Sequence, residues 1–176
     1  MQLPKPLYPL MHIPTFPYPD LLRHATIPIP LHGVNPRNVF GAEWWDVIRR
    51  QAYAKYHFRC WACGKGKTVL EGHENYRFDY RAGIAEFLGV VALCHYCHSF
   101  IHSGLLDILC RQKKVSRYKK AAIMKHGRKV LQVSRKPNQY SGPMAPPEQW
   151  RLIVRTERGP VSVFARNLIQ SLPGHR

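Results

Sequence analysis

Residues 60–102 read CWACGKGKTVLEGHENYRFDYRAGIAEFLGVVALCHYCHSFIH. Two cysteine pairs, Cys60 with Cys63 and Cys94 with Cys97, each span a two-residue gap, and 30 residues separate the pairs. A C-x2-C turn sets two sulfurs on one tight knuckle. Two such turns complete the tetrahedral thiolate shell that zinc prefers. Gly64, directly after Cys63, suits the sharp turn. With four protein sulfurs bound, no water is left for the ion to activate, so this Zn2+ is expected to be structural. A redox role fits less well, because no thioredoxin-like βαβ pattern surrounds either pair. Cys110 stands apart and reads as a buried helix residue.

The flanking sequence supplies short elements. Thr68–His73 and Ile84–Leu93 read as two strands, joined by a loop around residues 75–83, since no tight hairpin signal is present. Upstream, Trp45, Ile48, Ala52 and Tyr56 recur at helical spacing and predict a helix over 42–57. Downstream, one helix is expected from His95 to Lys113 and another from Ser116 to Val133. Residues 137–147, PNQYSGPMAPP, have linker composition, and the tail suggests one strand and one helix. Nine of the 15 prolines fall between Pro4 and Pro36. Proline lacks an amide donor, so residues 1–40 are expected to be an extended arm without helix. The organisation expected is an arm (1–40), a zinc-braced domain with a basic helical extension (41–136), and a linker with a small C-terminal segment (137–176). The fold class is α+β.

Three of the ten histidines are placed suggestively. His98 follows Cys97, and His102 comes four residues later on the same side of a helix. His73 closes the first expected strand, and the cysteine knot would draw it toward the other two. Glu71, Glu74 and Asp79 lie close to His73 in a chain poor in acids. That grouping suggests a divalent-ion site.

The combination CWACG, LEGHEN and LCHYCHSFIH resembles the HNH endonuclease superfamily, the ββα-metal nucleases, in the subclass braced by two C-x2-C pairs. The resemblance covers residues 58–105, under a third of the chain. It implies a ββα-metal core and hydrolysis of phosphodiester bonds with a catalytic Mg2+ or Mn2+ ion. Two role assignments follow from it. In the first, His73 is the general base and His98 or His102 holds the ion. In the second, all three histidines hold the ion and Glu74 takes the place of the base. The first is preferred, because imidazole is the better base near neutral pH. One position departs from the family pattern: Gly89 stands where an asparagine is expected, and Asn75 lies on the far side of the expected loop.

Charge points to a polyanionic partner. There are 27 Lys and Arg against 10 Asp and Glu, a net +17. Residues 111–136 carry 11 Lys and Arg, and no acid occurs between Asp107 and Glu148. Lys113, Lys114, Arg117, Lys119, Lys120, Lys125, Arg128 and Lys129 are therefore candidate phosphate contacts. The partner expected is nucleic acid, DNA ahead of RNA. No apolar run suits a membrane helix or a signal peptide, so a cytoplasmic or nucleoid location is expected and a membrane partner is not. Besides a metal-dependent endonuclease, the pattern admits a non-cutting, zinc-containing nucleic-acid-binding protein and, further off, a zinc-stapled interaction module.

Overall fold

The computed structural model describes residues 13–23, 25–133 and 140–167. Beside three short 3-10 helices (Pro19–Leu22, Ile29–Leu31 and Pro147–Gln149), its elements, in chain order, are α1 (Pro36–Phe40), α2 (Ala42–Lys55), β1 (Leu70–Asp79), β2 (Ile84–Cys94), α3 (His95–Ile101), α4 (Ser103–Arg111), α5 (Arg117–Leu131), β3 (Arg151–Thr156) and β4 (Gly159–Phe164). The four strands form one sheet in the order β1-β2-β3-β4. β1 and β2 are antiparallel, β2 and β3 parallel, β3 and β4 antiparallel. The class is mixed α+β.

β2 is the spine because its sequence is almost wholly apolar. Ala85 and Phe87 are buried in alternation, and every residue from Gly89 to Cys94 is buried. A strand buried on both faces reads as a continuous apolar run. Helix α2 lays Trp44, Trp45, Ile48 and Ala52 against the hairpin. Gly72 permits this approach: a Cβ there would lie 3.1 Å from Arg49 and 3.2 Å from the Trp45 ring. Gly127 lets α5 close on α3, since a Cβ would lie only 2.2 Å from the Phe100 ring.

Several expectations need correction. β1 does not end at His73 but runs to Asp79, because Tyr76 and Phe78 continue the half-buried alternation. The expected loop shrinks to a tight turn in which Asp79 Oδ1 accepts bonds from the Arg81 and Ala82 amides at 3.1 and 2.9 Å. The helix expected over 95–113 is two helices, with His102 at the junction (φ −83°, ψ 41°). Ser103 and Gly104, weak helix formers, follow the break. The described part of the tail is a β-hairpin, β3 and β4, turning through Gly159 at φ 106°, so it holds two strands where one was expected, and residues 165–167 after β4 are helical. Leu168 and Ile169 lie outside the described residues.

The described part of the N-terminal arm lies on the body, and it departs from expectation in containing a short helix, α1. Pro36 occupies the first turn, where its missing amide costs nothing, and Asn35 caps the Asn38 amide at 3.0 Å. Leu21, Leu22, Leu31 and Val34 are buried. Phe16 stacks on Tyr56 at 4.6 Å, and the Tyr18 amide donates to the Trp61 carbonyl at 2.7 Å.

Candidate functional site

The knuckle after α2, the hairpin β1–β2 and helix α3 together build two side-chain clusters, one of sulfur and one of imidazole. Cys60 and Cys63 sit on the knuckle after α2. The Cys60 amide donates to the Lys65 carbonyl and the Gly64 amide to the Cys60 carbonyl, at 2.9 and 2.8 Å, with Gly64 at φ 72°. Cys94 ends β2, and Cys97 lies in the first turn of α3. The four sulfurs lie within 4.8 Å of one another, close enough to hold one metal ion. Cys63 and Cys94 are 3.8 Å apart. That separation matches the edge of about 3.8 Å that a tetrahedron with Zn–S bonds of about 2.3 Å requires. The donor set and its spacing therefore fit zinc.

A fifth group touches this cluster. His126 of α5 brings Nε2 to 3.3 Å from Cys97 Sγ. Hydrogen bonding to Cys60 draws the Cys63 thiol down to about 5, and Cys63, then Cys94, hold His126 up to about 9. The spacing of the cysteines gave no hint of His126. It lies 29 residues beyond Cys97, and only the fold of α5 onto α3 brings it there.

The imidazole cluster joins His73, from the middle of β1, to His98 and His102. Their ligand atoms also lie within 4.8 Å of one another. His73 Nδ1 is 3.3 Å from His102 Nε2, and the His98 and His102 rings are 4.7 Å apart, edge to face. His73 is buried, while His98 and His102 are half-buried. Glu71 lies beneath the cluster and bonds His95 Nδ1 at 2.9 Å and His98 Nδ1 more closely. Burial pushes the Glu71 carboxyl up, but the two histidine bonds outweigh it and hold it below its ordinary range. A carboxylate that fixes the second nitrogen of a ligating imidazole is a recurrent support for bound metal. Three imidazoles suit a later first-row transition ion. They suit Mg2+ poorly, because it asks for oxygen ligands.

Glu74 and His102 line one cavity of about 810 Å³, whose opposite wall is the arm from Ala25 to Asn35. Burial raises the Glu74 carboxyl above its ordinary value, against its own backbone hydrogen bond and the charges of His98 and Arg37. Asn75 is not remote from Gly89. The register sets the two directly opposite, next to a bulge after Asn75, with Gly89 at φ 134°. By the two-residue period of a strand, Asn75 shares the face of His73.

The basic candidates lie on α5 and the turn before it. Lys113, Lys114, Arg117, Lys119, Lys125 and Lys129 are exposed; Lys120 and Arg128 are half-buried. Arg135 and Lys136 fall outside the described residues. Cys110 is half-exposed, not buried, and lines a cleft between α4 and α5. Among the described residues, no helix is long and apolar enough to cross a membrane. Compared with protein-family profiles, curated proteins and solved structures, the chain matches none.

Proposed function

We propose that the chain is a metal-dependent endonuclease of the HNH kind, hydrolysing phosphodiester bonds in nucleic acid, with DNA the first candidate. The observation that carries this reading is the convergence of His73, His98 and His102, with His102 lining an open cavity together with Glu74. Pure binding needs no such cluster. The cysteine cluster holds a structural zinc that fixes the hairpin against α3 and so keeps the histidines together.

Of the two role assignments, the geometry supports the second better. His73 stands in the imidazole cluster on the same terms as the other two, so the base falls to Glu74. An ion held by His73, His98 and His102 would polarise the scissile phosphate and offset the charge building on its oxygens. Glu74 accepts a proton as the water oxygen bonds to phosphorus. The bond from phosphorus to the leaving sugar oxygen breaks, and that oxygen takes a proton from solvent. Glu71 keeps His98 in the orientation that ligation requires. The cations of α5 hold neighbouring phosphates.

Plasmid cleavage with added Zn2+, Ni2+, Mn2+ or Mg2+ tests this. His73→Ala and Glu74→Gln should each lower the rate by roughly 100-fold or more, with fold and cysteine-bound zinc unchanged. Excess transition ion should partly restore His73→Ala but not Glu74→Gln. If Glu74→Gln cuts normally while no ion restores His73→Ala, His73 is the base. A folded, zinc-loaded wild-type protein that binds DNA and cuts neither DNA nor RNA with any of these ions would replace the nuclease by the non-cutting zinc protein.

A further inference from the structure

The basic segment is not a uniform field. We infer that Arg111, Lys113, Arg117, Lys120 and Arg128 form a discrete site for the sugar-phosphate backbone of nucleic acid, in the cleft between α4 and α5.

These five cations line one open cleft of about 1090 Å³, and the floor between them is Val115, Ala121 and Met124. Asp107 is the one acid among the lining residues, and it is taken up by Lys120 at 2.7 Å. Four cations therefore face one another across the cleft without a carboxylate, an arrangement that repels itself and that a row of phosphates relieves. The other basic candidates on this stretch, Lys114, Lys119, Lys125 and Lys129, do not line the cleft. Arg111 opens the basic run without being among the residues singled out by sequence; it joins the cleft because α4 ends beside α5.

The lining also says what is read. It contains no aromatic ring on which a base could stack, and no Asn or Gln to pair with a base edge. The groups left are cations, which hold phosphates of any sequence and among base edges pair only with guanine, so the site is one for the backbone. Helix α4 runs from the residue after His102 to Arg111, about 14 Å. That is about four nucleotide steps at 3.4 Å per step of one strand, so one bound duplex can reach both the cleft and the histidines. The inference rests on the nucleic-acid part of the proposed function and not on cleavage.

The test is duplex binding by the full chain, zinc-loaded and without added metal, across a range of salt. Arg111→Gln, Arg117→Gln and Arg128→Gln together should flatten the slope of log K against log salt by about 2.7, at about 0.9 per lost contact. Lys114→Gln, Lys119→Gln and Lys125→Gln, an equal change in charge, should shift it by less than about 1. Asp107→Asn, which releases Lys120 and removes nothing from the core, should steepen it by about 0.9. Two duplexes of unrelated sequence should give the same slopes. Equal flattening in the two triple variants would overturn the site in favour of a diffuse field. Binding of phosphatidylserine–phosphatidylcholine vesicles as tight as that of DNA, with the same dependence on the cleft residues, would overturn the choice of nucleic acid. A sequence preference of more than about tenfold would overturn the backbone reading. All of these outcomes are read from binding, so they stand whether or not the protein cuts.

Discussion

The cysteine cluster draws on the knuckle after α2, the end of β2 and α3, and the histidine cluster on β1, α3 and the residue after it; they meet on α3 but differ in the properties that decide what a metal site does. The first is made of four thiols, three of them buried, and their spacing closes a tetrahedron. The second is made of three imidazoles, two of them half-buried, beside a carboxylate and an open cavity. A closed thiolate shell leaves an ion nothing to activate, so its free energy of binding goes into folding. An incomplete imidazole shell leaves positions for water and phosphate. Their adjacency is itself informative: Cys97 and His98 are consecutive, so the cluster that shapes the fold also orients the one proposed to do chemistry.

The sharpest way to break this contrast is to remove one donor from each side. Cys97→Ser should unfold or precipitate the protein, because structural zinc contributes on the order of 10 kcal/mol or more in small sites. His98→Ala should fold and keep about one zinc per chain. Metal analysis and thermal melting read both. A Cys97→Ser protein that melts like wild type would remove the structural role of the sulfur cluster.

The supporting residues should separate the clusters more gently. Glu71→Gln should weaken binding of Ni2+ to the histidine cluster toward the upper end of the roughly 10–100-fold range seen when outer supports of metal ligands are lost. It should leave the cysteine-bound zinc in place. Calorimetric titration of the zinc-loaded protein measures this, and an unchanged Ni2+ affinity would show that Glu71 does not orient His98. His126→Gln should have the smallest effect, since glutamine still donates a hydrogen bond. Zinc release to a chromogenic chelator should speed up by no more than about tenfold, with exchange protection in α5 falling at the same time. Release at the wild-type rate with α5 unchanged would mean that the contact between His126 and Cys97 couples nothing.

These residues also mark how far the sequence could be read. The cysteine knot, the strand Ile84–Leu93 and the helix from Ala42 were legible, because each writes its own local signal: paired thiols, a buried apolar run, a helical stripe of tryptophan and isoleucine. The break at His102 was not legible, because apolar residues continue through it on one helical period. The reach of β1 to Asp79 was missed because Tyr-Arg-Phe-Asp alternates as a strand only when a core lies on one side. The helix at Pro36 was missed because proline forbids helix interiors but not first turns.

What the sequence by itself determined is which chemistry is present: four thiols spaced for zinc, three imidazoles with acids nearby, and a long run of cations. Those are properties of residue type and short spacing, and they survive any arrangement of the distant parts. What only the tertiary structure decided is which groups meet. His126 touches the sulfurs from 29 residues away, Asn75 faces Gly89 across a bulge, the arm walls the cavity of Glu74 and His102, and Arg111 joins a cleft built by two helices. Such contacts depend on how helices and strands pack, and packing follows from the fit of whole side-chain surfaces, which no local pattern along the chain records.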